Sequence, residues 1–201
     1  MSYASQIQER IDKAGDGTVF VGSDFADIAN GETIRRNLNR LVDSGILLRI
    51  IKGVYEKPKF STLLNEVVAP DTDAVAHAIA RSYRWTIVPC GNTALNMLGL
   101  STQVPTVWCY HSDGPYKRYG WDTTTLEFKR RANKDITGLS YTTALVVHAL
   151  NALGKAQVTP KVMEHLSSRL SDEEKQLLLE EGIHSTAWVY EVIRTMSREI
   201  E

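Results

Sequence analysis

Side chains that could read nucleic-acid bases recur at helical spacing between residues 32 and 44. One side of this segment presents Thr33, Arg36, Asn37 and Arg40, with Arg35 beside them. Arginine can donate two hydrogen bonds to a guanine edge, and asparagine can pair with an adenine edge, in the major groove of DNA. The other side presents Ile34, Leu38, Leu41 and Val42, a spacing that predicts an amphipathic helix. The segment therefore predicts a DNA-reading helix over 32–44.

A short basic hairpin is predicted directly after this helix. Residues 46–51 form an apolar strand interrupted by Arg49, Lys52 and Gly53 form a turn, and residues 54–56 return. We expect Arg49, Lys52 and Tyr55 to lie along the DNA backbone. Residues 33–59 hold seven Lys/Arg against two Asp/Glu, net +5. Such a cluster is typical of phosphate contact, although a solvated helix surface is the common alternative.

The helices and strands predicted around these side chains follow one another in an order that indicates a fold. A helix is predicted over 5–14, a strand over 18–21 and a second helix over 24–29, which Ser23 caps. With the helix at 32–44 and the hairpin, the order is that of a winged helix-turn-helix domain over 1–59. A winged helix that contacts only other proteins is the alternative.

The remainder, 60–201, is predicted to be a mixed α/β domain with a helical tail. Helices are expected over 71–83, 92–98 and 141–153, and strands over 85–88, 106–110 and within 120–131. In the strand within 120–131, Leu126 and Phe128 face inward and Glu127 and Lys129 outward. The tail begins at about residue 159; residues 171–174 form a capping box, and Trp188, Val189, Val192 and Ile193 form a core-facing stripe. The predicted fold class is therefore α+β.

A second basic cluster lies in the middle of this domain. Its members are Lys117, Arg118, Lys129, Arg130, Arg131 and Lys134. The cluster would extend a DNA footprint, hold an RNA or a nucleotidyl-bearing partner, or form an ordinary solvated rim. The sequence leaves these three interpretations open.

One arrangement in the chain resembles a catalytic site. Asp113, followed by Glu127 and Lys129 on one strand, has the pattern of a Mg²⁺-dependent nuclease, in which the carboxylates bind the metal and the lysine orients water. Because Glu-x-Lys is also common on exposed strands, the preferred prediction is a protein without catalysis. A transcription factor that senses a small ligand in the middle domain is the third alternative.

Other chemistry has less support in the sequence. The five histidines show no HxxxH or HExxH spacing, and no glycine-rich phosphate loop is present, so we expect no metal and no cofactor. Cys90 and Cys109 lie in apolar, strand-like surroundings and are predicted to be inert free thiols in a reducing compartment.

Composition places the chain among globular proteins. Of its 201 residues, 43% are hydrophobic and 23% are charged, with a net charge of −1, which argues against a disordered or polycationic chain. Charged residues interrupt residues 1–30, and polar residues interrupt the uncharged stretch 85–112. We therefore expect neither a signal peptide nor a membrane span, and a cytoplasmic location.

The chain resembles the AbiEi-like antitoxins of bacterial type IV toxin–antitoxin and abortive-infection systems. The resemblance covers about residues 5–155 and is carried by two segments, GVYEKP at 53–58 and GNTALNMLGLSTQVP at 91–105. The resemblance implies a cytoplasmic autorepressor that binds double-stranded DNA at repeats in its own promoter. It also implies that the chain neutralises a nucleotidyltransferase-type toxin, directly or indirectly, in phage defence. The oligomeric state stays open, with a homodimer on DNA as one option.

Overall fold

The chain folds into a mixed α+β structure, as the sequence predicts. A computed structural model describes residues 2–131 and 138–197. Contacts within these ranges form two compact units, one from residues 1–85 with 119–124 and the other from residues 86–118 with 125–201. In the described part of the chain, no helix has both the length and the apolar character that a bilayer crossing requires.

The first unit combines three α-helices with two small sheets. Its elements are α1 (Tyr3–Lys13), β1 (Val19–Val21), a 3-10 helix (Gly22–Phe25), α2 (Gly31–Asp43), β2 (Leu48–Ile51), β3 (Val54–Glu56), β4 (Phe60–Ser61), β5 (Glu66–Val67) and α3 (Thr72–Tyr83). Strand β3 lies between β1 and β2 in an antiparallel sheet, and β4 pairs with β5.

The core of the first unit joins helices α1 and α2 to this sheet. Ile7 and Ile11 of α1 and Ile34 and Leu38 of α2 are buried with apolar side chains from the 3-10 helix and the strands. Both helices bury residues four positions apart, which lie on the same side of an α-helix. The predicted amphipathic character of α2 is therefore confirmed.

The predicted helix over 24–29 is wrong. The structure has only the 3-10 helix Gly22–Phe25, followed by turns. An α-helix would require the Ile28 amide to donate to Asp24 O, but it donates to Phe25 O, three residues back. Asp24 O instead accepts a hydrogen bond from the Arg10 guanidinium. A long-range side-chain contact thus replaces the next helical hydrogen bond.

Helix α3 is anchored to this turn by a two-pronged ion pair. Arg81 donates from Nε and Nη2 to the two carboxylate oxygens of Asp24, at 2.8 and 2.9 Å. The same carboxylate accepts a hydrogen bond from the Val21 amide at 2.9 Å. Helix α3 also packs on β1, so the first unit extends beyond the segment 1–59 for which a DNA-binding domain is predicted.

Within its described residues, the second unit contains most of a four-stranded sheet, five α-helices and one 3-10 helix. Its elements are β6 (Ile87–Pro89), α4 (Asn92–Met97), β7 (Val107–Ser112), the start of β8 (Lys117–Trp121), β9 (Thr124–Arg130), α5 (Tyr141–Leu153), a 3-10 helix (Lys155–Gln157), α6 (Pro160–Ser168), α7 (Asp172–Gly182) and α8 (Ala187–Ser197). The strand order is β6-β7-β9-β8, with β6 antiparallel and β9 parallel to β7.

Helices α4 to α8 share one apolar core. Val189 and Ile193 of α8 are completely buried in it, which confirms the predicted stripe. Ser171 caps α7 as predicted, since its side chain accepts from the Glu174 amide and the Glu174 carboxylate accepts from the Ser171 amide. Helices α7 and α8 meet closely at Gly182, where a Cβ atom would lie 2.9 Å from Ile193 Cδ1.

A glutamate is buried at the end of β3, the central strand of the three-stranded sheet. Glu56, at the end of β3, is only 2% exposed, and its Oε2 atom accepts no hydrogen bond from any described residue. Burial, together with the negative charge of Asp71, raises the pKa of Glu56. The folded chain therefore accommodates the neutral acid better than the carboxylate.

We expect Glu56→Gln to raise the free energy of unfolding at pH 7 by about 1 kcal/mol, because a buried group without partners costs more when it is charged than when it is neutral. A raised carboxyl pKa destabilises the fold as the pH rises above the unfolded-state value of about 4.3. The gain should therefore shrink as the pH falls towards 4. Urea unfolding at several pH values measures it, with the exposed Glu66→Gln as control. An equal gain at pH 4 and pH 7 would contradict the explanation.

Candidate functional site

The basic helix predicted over 32–44 exists as α2, and its arginines face solvent. Arg35, Arg36 and Arg40 are all exposed, whereas Ile34 and Leu38 of the same helix are 3% and 1% exposed. Asn30 caps the helix, since its Oδ1 accepts from the Thr33 amide at 2.9 Å. The apolar and basic sides of α2 therefore lie as the sequence predicts.

The two neutral side chains of the predicted contact surface are less available than the arginines. Thr33 and Asn37 are half-buried, and Asn37 Nδ2 donates to the Thr33 carbonyl at 2.8 Å. Arg36 pairs with Glu32 at 3.0 Å, with both side chains exposed. An exposed pair of this kind is worth little and can be exchanged for a phosphate or base contact.

The hairpin after α2 presents two further cations. Arg49 of β2 and Lys52 of the turn are exposed. Gly53 completes the turn with φ +84°, a left-handed conformation that favours glycine. Arg49 and Lys52 therefore belong to the same solvent-exposed hairpin, as predicted from the sequence.

Tyr55 departs from its predicted role. Its side chain is only 3% exposed and packs in the core of the first unit. Its hydroxyl lies 3.3 Å from Asn39 Oδ1 of α2 and donates a hydrogen bond to it. Tyr55 therefore positions α2 against strand β3, and its buried ring leaves no surface for a duplex.

The second basic cluster does not form one continuous surface. Alternation along β9 directs Lys129 and Arg130 to opposite faces of the sheet. Lys129 and Arg131 line the same cavity, while Arg118 lies 3.5 Å from the Glu127 carboxylate. Lys117 is exposed on β8, and Lys134 lies outside the described residues.

The nuclease arrangement is not assembled. Asp113 lies four residues beyond Cys109, the β7 partner of Glu127, a distance of roughly 13 Å along the strands. Its carboxylate accepts a hydrogen bond from the Thr86 amide at 3.0 Å. Within residues 2–131 and 138–197, no three His, Cys, Asp or Glu side chains are grouped to hold a metal ion.

The structure brings together two cysteines that are 19 positions apart. Cys90 and Cys109 are free thiols whose Sγ atoms lie 2.9 Å apart. They oppose each other where β6 pairs with β7, and the Cys90 amide donates to Cys109 O at 3.0 Å. The Cys109 amide also donates to the buried Thr93 hydroxyl at 2.8 Å.

The two thiols differ in acidity. The hydrogen bond from Cys90 lowers the pKa of Cys109 to about 7; burial opposes this effect, and the positive charge of Lys129 adds to it. The same contact, together with burial, raises the pKa of Cys90. Cys109 is therefore the thiol of the pair that ionises first, and Cys90 keeps its proton.

The cysteine pair opens onto a cavity of about 540 Å³ above the sheet. Among the side chains that line it are Cys90, Cys109, Glu127, Lys129, Arg131, His148 and Asn151. A second cavity of about 430 Å³ shares His111, Arg131, His148 and Asn151 with it and continues towards Glu181 and His184. The rings of His111 and His148 lie edge to face, 4.7 Å between centroids.

The prediction that Cys90 and Cys109 are free thiols is confirmed, and their approach to each other is a feature that the sequence analysis does not contain. The signal that could have found them is one cysteine directly after a strand and a second cysteine within the next strand, with a short helix between the two strands. Their pairing depends on strand register, which the local pattern does not reveal. The predicted alternation along β9 is confirmed, since Leu126 and Phe128 are buried and Lys129 is exposed, whereas Glu127 lines the cavity and its side chain is only 13% exposed.

The described residues define a mixed α+β protein with an exposed basic helix and a cavity that contains a cysteine pair. The chain belongs to a family described as a family of unknown function, DUF6088, which residues 6–178 match. No curated protein matches it. One similar solved structure is the crystal structure of RV2827C protein from Mycobacterium tuberculosis. It is 14% identical, the match covers 98% of this chain and 76% of that chain, and the TM-score is 0.43. A likeness at this level supports no statement about function.

Proposed function

We propose that the chain is a DNA-binding autorepressor whose first 59 residues act as a winged helix-turn-helix. The order α1, β1, 3-10 turn, α2 and β2–β3 hairpin supports the proposal, as does the sheet order β1-β3-β2. In this reading, the 3-10 turn takes the place of the helix that precedes the recognition helix. The hairpin is the wing, which lies along the DNA backbone beside the groove.

The exposed arginines of α2 carry the proposal. Arg35, Arg36 and Arg40 project from a helix whose opposite side is held in a core, so the helix can enter a major groove without unfolding. Guanidinium groups are suited to guanine edges and to phosphates. Arg49 and Lys52 add charge that would hold the hairpin against the phosphates.

We further propose that the protein is the antitoxin of a type IV-like toxin–antitoxin system in the bacterial cytoplasm. The resemblance to AbiEi-like antitoxins, which extends from the first unit into the second, supports this role. Its second segment, 91–105, contains α4 between Gly91 and Gly99, which have φ values of +58° and +69°. Side chains are disfavoured at such angles, which accounts for the glycines of the segment. The cognate toxin would be of nucleotidyltransferase type.

Replacing Arg36 and Arg40 together with alanine is expected to weaken binding to DNA from upstream of the gene. Each arginine that reads a base contributes roughly 1–3 kcal/mol, or about 5- to 150-fold in affinity. Fluorescence anisotropy with labelled DNA measures the loss. Lys161→Ala with Arg194→Ala removes the same charge from exposed positions of α6 and α8 and should bind normally. Unchanged affinity in the Arg36 and Arg40 double variant would refute the assignment of this helix.

Lys52→Ala is expected to weaken binding to all DNA sequences to a similar extent. If Lys52 neutralises one phosphate, the slope of log affinity against log salt becomes shallower by about 0.9. Titrations between low and moderate salt measure the slope, with the exposed Lys155→Ala as control. A loss confined to one operator sequence would indicate base reading instead of phosphate contact.

If the chain is an antitoxin, the adjacent open reading frame should encode the toxin. Expression of the adjacent open reading frame from an unrelated promoter should arrest growth, and co-expression of this chain should restore it. The Arg36 and Arg40 double variant should still restore growth, because that promoter removes any need for DNA binding. A harmless neighbour, or growth arrest that this chain does not relieve, would remove the antitoxin role and leave the DNA-binding proposal standing.

A further inference from the structure

We propose that Cys90 and Cys109 form a reversible dithiol–disulfide centre that reacts with small disulfides bearing carboxylate groups. The inference is independent of DNA binding and of the antitoxin role. It rests on the juxtaposition of the two sulfurs, on their unequal exposure and on the cations that line the cavity beside them.

The backbone already holds the two thiols in position to react with each other. Cys90 and Cys109 face each other across neighbouring antiparallel strands, and their Sγ atoms are 2.9 Å apart. The Thr93 hydroxyl fixes the Cys109 backbone from the side of α4. Little chain entropy remains to be lost on oxidation, because the strands are paired before the bond forms.

The two sulfurs have different roles because their exposure differs. Cys90 is only 5% exposed, whereas Cys109 is partly exposed at the cavity. An external disulfide therefore meets Cys109 first. Cys90 lies behind it, within reach of Cys109 Sγ, where it can resolve a mixed disulfide.

The charges around Cys109 favour its thiolate. Lys129 lies on the same face of β9 as Glu127, and both line the cavity with Cys109. The Cys90 hydrogen bond and the Lys129 charge lower the pKa of Cys109 to about 7, while burial and Glu127 oppose the shift. Among the residues that the structure describes, the other charged or titratable side chains that face the cavity are Arg131, His111 on β7 and His148 on α5. A thiol with this acidity is near the optimum for exchange at neutral pH.

The charges that line the cavity determine which class of small disulfide it favours. It has a volume of about 540 Å³, and among the described residues its fixed cations are Lys129 and Arg131. Glu127, the one carboxylate among the described lining residues, lies beside Arg118 at 3.5 Å, which offsets its charge. A small disulfide with carboxylates is therefore attracted to Cys109, and a cationic disulfide of similar size is repelled.

The reaction conserves atoms and electrons. The Cys109 thiolate attacks one sulfur of the small disulfide, and the other sulfur leaves as a thiolate. Cys90 then gives its proton to the departing group and attacks Cys109 Sγ, which forms the intramolecular disulfide and releases the second small thiol. The two cysteines lose two electrons, and the small disulfide gains them.

Oxidised glutathione tests the centre on the full-length protein. Mass spectrometry after alkylation should show the reduced chain with two modified cysteines, and the treated chain with none and with no adduct. Cys90→Ser should retain one glutathione on Cys109, whereas Cys109→Ser should react far more slowly. Thermal melting checks that each variant is folded. If the folded wild-type protein keeps both thiols in excess oxidised glutathione, the proposal is wrong.

Lys129 supplies a second test that leaves both cysteines in place. In Lys129→Gln, the pKa of Cys109 should rise only part of the way to the ordinary value, because the Cys90 hydrogen bond, the largest cause of its low value, remains. Alkylation at pH 7 should therefore slow by about two- to fivefold, since the thiolate fraction falls and the greater reactivity of a more basic thiolate offsets part of the loss. The pH profile should shift upward, Lys129→Arg should restore it, and Lys161→Gln should match the wild type. An unshifted profile in Lys129→Gln would contradict the role of the lysine.

The identity of the oxidant is tested by comparing oxidised glutathione with cystamine, a cationic disulfide. Wild-type protein should react several-fold faster with oxidised glutathione at low salt, and added salt should reduce the difference. Equal rates, or faster reaction with cystamine, would overturn the selectivity for carboxylates. Such a result would leave the dithiol centre itself to be judged by the glutathione experiment.

Discussion

Burial of Ile34 and Leu38 is the interaction on which the first unit depends. These side chains of α2 pack with Ile7 and Ile11 of α1, and they fix the rotation of α2 about its axis. Because an α-helix turns once in 3.6 residues, that rotation also determines where every other side chain of α2 points. Exposure of the arginines is thus a consequence of core packing, and a polar substitution at Leu38 would disturb both.

In the second unit, the register between neighbouring strands determines which side chains face the cavity. The pairing of Cys109 with Glu127 places alternate side chains of β7 and β9 on a common face, together with Cys90, which directly follows β6. A slip of one residue in β9 would turn Lys129 to the other face and bring the apolar Phe128 to the cavity. The buried side chains Leu126 and Phe128 oppose such a slip, so apolar packing on one face of the sheet stabilises the polar arrangement on the other.

The sequence pattern correctly predicts those elements that depend on residues close together in the chain. Helix α5 has the predicted bounds, 141–153, because its cap and apolar period agree. The helix expected over 24–29 failed because a distant arginine takes the Asp24 carbonyl, a contact that no local period contains. The predicted contact between Tyr55 and DNA is wrong because a strand of three residues is too short for its pattern to show which side chains are buried. The approach of Cys90 to Cys109 depends on a pairing between strands, which sequence spacing alone does not fix.

The first compact unit consists of two separate stretches of chain, 1–85 and 119–124, so its fold is discontinuous in sequence. A gene fragment that stopped after codon 85 would therefore encode an incomplete first unit. Its missing residues, 119–124, would be encoded by the other fragment, which begins at codon 86. Shuffling of this module between genes is disfavoured, because no single breakpoint separates the units. Inheritance of the whole reading frame as one piece is the expected evolutionary outcome.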